Sequence, residues 1–206
     1  MKIYSALYKQ DAHLSKFGDF KVVASPLELT EPGILILHGG EDISPSLYGQ
    51  TPSSYTYAQE HPSKRDQIEV ELFREAVSRG IGIFGICRGA QFLTAMAGGT
   101  LIQDVTNHGV DHTIDTPDGE RFIVTSAHHQ MCNPHGTDHE LLAWSTKNRS
   151  SHYIGESDIP VYMPIEPEVI YYPKIKALAV QPHPEWMSVD SEFVQYLFKQ
   201  IEARLM

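Results

Sequence analysis

The sequence predicts an α/β fold in three layers, a mainly parallel sheet with helices on both faces. Three observations predict it. Gly33-Ile-Leu-Ile-Leu37, Ile81 to Ile86 and Ala177 to Val180 are short, nearly continuous apolar runs, the pattern of strands covered on both sides. Segments of helical periodicity accompany them in the chain. The 206 residues, 41% of them hydrophobic, are enough for one sizeable core and too few for two comfortable ones. One domain over residues 1–206 is therefore expected, with no internal repeat or low-complexity linker to divide it.

In chain order, Ile3 to Leu7 is a first strand, followed by a polar stretch with room for only a short helix. Phe20 to Ala24 is a second strand and Gly33 to Leu37 a third, ending in His38-Gly39-Gly40-Glu-Asp42. Residues 44–62, rich in Ser, Pro, Tyr and Gly, read as a long loop. Ser63-x-x-Asp66 caps the next helix, whose apolar face is Ile68, Leu72, Phe73, Ala76 and Val77, closed by Gly80. The run to Ile86 is a buried strand, and Arg88 to Ala97 a helix stopped by Gly98-Gly99. Phe122 to Thr125 and Leu141 to Trp144 read as strands, with His128 to His139 as loop between them. Glu168 to Tyr172 and Ala177 to Val180 form a hairpin around Pro173-Lys-Ile-Lys176. The last helix, starting near Ser188 or Asp190, carries Phe193, Val194, Leu197, Phe198, Ile201 and Leu205 on one face.

Composition excludes several function classes. A formal net charge of -10 and the lack of a Lys/Arg cluster argue against a nucleic-acid or anionic-membrane surface. Two cysteines give no disulfide framework. The N-terminus lacks the apolar core of a signal peptide, and no apolar run is long enough to span a membrane. A cytoplasmic location is expected, where a free thiolate persists.

Gly85-Ile-Cys87-Arg-Gly89 has the Gly-x-nucleophile-x-Gly form of a nucleophile elbow, with Cys in place of Ser. A tight strand-to-helix turn would lift the thiol above the sheet, and the helix N-terminus would favour its thiolate. Alone the motif is weak, because buried structural cysteines are common. The apolar run to Val180 then leads into His183-Pro-Glu185. Two residues of extended chain put the carboxylate beside the imidazole. A thiol, a base and an orienting acid at strand ends are the parts of a Cys-His-Glu triad: Cys87, His183 and Glu185.

Gly-Ile-Cys87-Arg-Gly-Ala-Gln91 followed by His183-Pro-Glu185 resembles the class I glutamine amidotransferase superfamily. The resemblance is closer to its γ-glutamyl hydrolase branch, of the γ-glutamyl-γ-aminobutyrate hydrolase type. Gly39 to Gly49, Arg65-Asp66, Gly98 to Asp104 and Ser126-Ala-His-His-Gln130 support that branch, so that the likeness runs from about residue 33 to 186. It implies a flavodoxin-like topology and cysteine-dependent hydrolysis of a γ-glutamyl amide through a γ-glutamyl thioester, releasing glutamate and an amine. The alternatives are a glutaminase subunit that supplies ammonia to a separate synthetase partner, and a catalytically silent binding module. No cofactor is expected, since neither a P-loop nor GxGxxG occurs.

For the oxyanion, Arg88 would donate its backbone N–H, and the resemblance assigns the second donor to Gly40. The Arg88 side chain would pair with a helix carboxylate. Gln91 is one helical turn beyond Cys87, on the same face, to hold the glutamyl part; the other reading is a polar residue capping a core. His128 and His129 resemble the family's paired histidines beside the site; a solvated loop pair is the alternative. Arg65, Asp66 and Glu69 read as stabilising a helix start. Among the 11 histidines, His135 and His139 lie near Cys132, but Pro134 and Gly136 spoil a helical ligand pair and no metal site is expected. His38, Thr94, Ala127 and Pro182 depart from the family pattern, changes that touch substrate fit. Loops 44–62 and 145–167 would read the amine. A homodimer is compatible with the sequence but no residue argues for it.

Overall fold

A computed structural model describes residues 1–206. Thirteen strands appear in chain order: β1 (Lys2–Ala6), β2 (Asp19–Val23), β3 (Gly33–Leu37), β4 (Gly82–Ile86), β5 (Thr100–Ile102), β6 (Asp104–Val105), β7 (His112–Asp115), β8 (Arg121–Val124), β9 (Met131–Asn133), β10 (Glu140–Ser145), β11 (Tyr153–Ile154), β12 (Pro167–Tyr172) and β13 (Ala177–Val180). The α-helices are α1 (Lys64–Ser78), α2 (Arg88–Met96) and α3 (Glu192–Arg204).

Nine strands form the central sheet in the order β2-β1-β3-β4-β13-β12-β10-β7-β8. The first five are parallel and the remainder antiparallel. The parallel part has the flavodoxin-like order, with β3, β4 and β13 at its centre. In such sheets ligands sit at the carboxyl ends of the strands.

The three layers follow from alternation along β3. Ile34 and Ile36 pack with Phe193, Leu197 and Ile201 of α3. Leu35 and Leu37 pack with Leu72 and Ala76 of α1 and Phe92 and Leu93 of α2. All four strand residues are fully buried. A side chain of this size contributes about 1.5–3 kcal/mol when withdrawn from water.

Helix α1 starts where its capping box places it: Ser63 Oγ accepts from the Asp66 N–H at 3.1 Å, and Asp66 Oδ2 accepts from the Ser63 N–H at 2.9 Å. Its buried face is shifted from the apolar stripe, since Arg65, Asp66 and Glu69 are buried while Val77 is exposed. The hairpin β12–β13 has the expected partners, with a 3₁₀ turn at Pro173–Ile175. Helix α3 is capped by Ser191, a little beyond the expected start. The stretch from His128 to His139 is not all loop, because β9 lies inside it, paired with β5. Three residues are too few to display a period, so neither strand announces itself. No helix is long and apolar enough to cross a membrane.

Candidate active site

Strand β4 delivers Cys87 and helix α2 begins at the next residue. Cys87 has φ 49° and ψ -105°, a conformation a non-glycine residue avoids unless its surroundings impose it. The surroundings do. The Cys87 N–H donates to the Val180 carbonyl at 2.8 Å, and its carbonyl accepts from the Gln91 N–H at 3.0 Å. The flanking glycines make the turn sterically feasible. A Cβ on Gly85 would lie 2.5 Å from the Gly89 oxygen, and one on Gly89 would lie 2.2 Å from the Leu37 oxygen.

His183 follows β13, and its N–H donates to the Thr125 carbonyl at 2.9 Å. Its Nδ1 stands 2.8 Å from Glu185 Oε1. With Nδ1–H donating to the carboxylate, Nε2 carries the lone pair, and this buried atom has no partner within the protein. The backbone of Gly39 fits between base and thiol: a Cβ there would sit 3.0 Å from His183 Cε1 and 3.6 Å from Cys87 Cβ. Cys87, His183, Glu185 and Gly40 thus border one cleft of about 320 Å³, together with Gly39, Gln10, Ala127 and Trp186. Burial pushes the Cys87 thiol up to about 12, and the N–H of Arg88 directed at it offsets this only in part. Such a thiol needs a base at the moment of attack.

The Arg88 side chain turns away from the cleft. It is fully buried and ion-paired to Asp66 and Glu69 of α1. Arg88 is itself not among the residues bordering the cleft, but its backbone N–H is directed at the Cys87 thiol. Gly40 has φ 145°, and a Cβ on it would stand 2.3 Å from Arg65 Nη1. Arg65 is more than a helix-start residue. Its Nη2 donates to the carbonyls of His38 at 2.8 Å and Gly39 at 3.1 Å, while Nε pairs with Glu69 and Nη1 with Glu41, both at 2.9 Å. Sequence reading missed this grip, because the i,i+4 pair Arg65–Glu69 looks like ordinary helix stabilisation.

Gln91, His128 and His129 are not among the residues bordering the cleft. Gln91 Nε2 donates to the Gln130 carbonyl at 3.0 Å, and His128 Nδ1 contacts the same oxygen at 2.8 Å. Burial pushes the His128 imidazole down to about 3, so it stays neutral. His129 bridges Asp42 at 3.0 Å and Asp104 at 3.3 Å, and the Asp42 hydrogen bond raises its pKa.

For a metal, Cys132, His135 and His139 offer no convergent set: Cys132 is buried against Gln181 Oε1, 3.3 Å away, whereas His135 is exposed. Ligand atoms of His108, His128 and Glu168, all buried, lie within 4.8 Å of one another. Ion pairing already employs this group. His108 contacts Glu166 at 3.1 Å and Glu168 at 3.4 Å, and His112 contacts Glu168 at 3.0 Å.

The profile of the family described as Peptidase C26 matches residues 29–153. Protein NtpR of Enterococcus hirae is 43% identical over 74 residues, which make up 36% of this chain and 30% of that protein. The chain thus matches less than a third of that relative's length. A protein provisionally named glutamine amidotransferase-like protein YvdE, from Lactococcus lactis subsp. lactis, is 28% identical over 187 residues, 71% of this chain and 78% of that one. Among solved structures, a Thermoplasma acidophilum protein provisionally described as a GMP synthase subunit superposes with a TM-score of 0.64 at 18% identity. The superposition covers 98% of this chain and 92% of that one. At that identity the likeness concerns the fold.

Proposed function

The chain belongs to the Peptidase C26 family, and we propose that it is a cysteine-dependent hydrolase of γ-glutamyl amides, releasing glutamate and an amine. The observation that carries the proposal is the strained Cys87 facing the same cleft as a His183 whose tautomer Glu185 sets.

His183 Nε2 takes the thiol proton as Cys87 Sγ attacks the γ-carbonyl carbon. The oxygen of the tetrahedral intermediate accepts from the N–H groups of Arg88 and Gly40. Collapse breaks the C–N bond, and the proton on His183 passes to the departing amine. A γ-glutamyl thioester remains on Cys87. His183 then takes a proton from water, the hydroxide oxygen adds to the thioester carbonyl, and glutamate leaves as Sγ recovers its proton. Glu185 steadies the imidazolium in both halves. Gln91 and His128, which share the Gln130 carbonyl, and His129 stand behind the residues that line the cleft, so that their part is to support that lining and not to touch the glutamyl group.

A second reading is a glutaminase that passes ammonia to a separate synthetase partner. The description of the Thermoplasma acidophilum protein as part of a synthase favours it. A silent binding module is disfavoured by the strain retained at Cys87, which binding alone does not require. Glutamate release from glutamine, γ-glutamyl-γ-aminobutyrate and γ-glutamyl-putrescine, with Cys87→Ala as control, tests the proposal. Turnover of a γ-glutamyl amide by the isolated chain, lost in Cys87→Ala, supports the hydrolase. Glutamine turnover that rises only with an added synthetase supports the second reading.

A further inference from the structure

His183-Pro184-Glu185-Trp186 is one short turn. Pro184–Trp186 is a 3₁₀ segment with His183 at its N-cap, and the Trp186 N–H donates to the His183 carbonyl at 3.2 Å. Side chains three residues apart eclipse in 3₁₀ geometry. Here the indole of Trp186 lies over the imidazole of His183, with ring centroids 3.8 Å apart and planes within 2°. Glu185 meanwhile holds the edge of the same ring through Nδ1. Trp186 is 57% exposed, so burial of its own apolar surface does not explain the stack. It also borders the cleft that Cys87 faces.

We propose that Trp186 is a positioning residue for proton transfer: its indole fixes the plane of the His183 ring that borders the cleft with Cys87, and stabilises the imidazolium as it forms. The inference rests on His183 being the base of Cys87, as in the function proposed above. The hydrogen bond at Nδ1 holds one edge of the ring, and the stacked indole covers its face and so limits tilt out of that plane. In the proposed reaction the imidazole gains positive charge as the thiol proton moves to it. The face of an indole attracts a cation more than a neutral ring. The stack therefore strengthens along the reaction, the condition for an interaction to accelerate it.

The test uses alkylation of Cys87 by iodoacetamide on the full chain, read by peptide mass spectrometry between pH 5 and 9 (about the range in which imidazole titrates). Steady-state glutamate release runs beside it. In Trp186→Leu, alkylation at neutral pH should slow about tenfold. Its acid limb should move to lower pH, and kcat should fall with little change in KM. Trp186→Phe should recover most of the loss. Uniform incorporation of fluorinated tryptophan, which weakens the π face and keeps the shape, should slow alkylation without altering thermal stability, and it serves if Trp186→Leu does not fold. An unchanged alkylation rate and acid limb in Trp186→Leu, or in the fluorinated chain, would overturn the proposal. Because alkylation needs no γ-glutamyl substrate, the two failures separate. Normal Trp186-dependent alkylation without glutamate release would reject the hydrolase and leave the role of Trp186 standing.

Discussion

Arg65 Nη2 stands 2.8 Å from the carbonyl oxygen of His38, and the same nitrogen reaches Gly39. One guanidinium on α1 thus holds the two carbonyls that precede the Gly40 N–H, one of the two proposed oxyanion donors.

If this grip orients that donor, Arg65→Gln should lower kcat for glutamate release about 10- to 100-fold with little effect on KM, since the donor matters most when charge develops on oxygen. A change in KM alone, with kcat intact, would show that the loop is held by other means. Arg65→Lys should rescue only part, because a single ammonium cannot reproduce the forked contacts.

The Arg88 side chain should matter for stability and not for the oxyanion. Arg88→Met leaves Asp66 and Glu69 buried without their shared cation. Breaking such a pair from one side costs about 3–5 kcal/mol. Urea denaturation would measure it, and a loss below about 1 kcal/mol would indicate that the carboxylates find solvent or each other's proton.

The elbow should tolerate no side chain at Gly89. Gly89→Ala puts a methyl 2.2 Å from the Leu37 carbonyl oxygen, a backbone atom that cannot swing aside. A loss of about 3 kcal/mol in urea denaturation is expected, with slowed alkylation of Cys87 as the turn shifts.

The cleft and helix α1 differ in how much of each was legible in the sequence. Cys87, His183 and Glu185 were legible because each follows closely on a short apolar run, and strand ends in an α/β sheet converge on one edge. The two faces of β3 were legible for the same reason. The buried face of α1 was not. Its polar residues Arg65, Asp66 and Glu69 look like a solvated helix start; a helix carboxylate was expected for the Arg88 side chain, but only the fold identifies Asp66 and Glu69 as its partners. The strands β5 and β9 were hidden by their length, and the His108–Glu166–Glu168 group by the separation of its members along the chain.

That buried group predicts a pH window. Burial lowers His108, but the facing carboxylates of Glu166 and Glu168 outweigh it and raise the imidazole to about 9. Against the same burial, the facing His108 imidazole lowers Glu166 to about 2, and His108 together with His112 lowers Glu168 to about 2. A raised imidazole stabilises the fold fully below its unfolded value near 6.5, and that contribution fades as pH climbs through 9. Lowered carboxylates stabilise it above their unfolded value of 4.5, and that contribution fades as pH falls towards 2. Thermal melts should therefore peak between these limits. The alkaline decline should flatten in His108→Gln; an identical alkaline slope in that variant would assign the titration elsewhere.

The central claim is that Cys87 carries the γ-glutamyl group, and mass spectrometry during turnover tests it most directly. The chain would be mixed with a γ-glutamyl amide, quenched in acid within seconds and mapped by peptide. The account predicts a γ-glutamyl thioester on the peptide bearing Cys87, accumulating in Glu185→Gln if deacylation slows and absent from Cys87→Ala. Glutamate released at an undiminished rate by Cys87→Ala, or an adduct on Cys132 in place of Cys87, would contradict it.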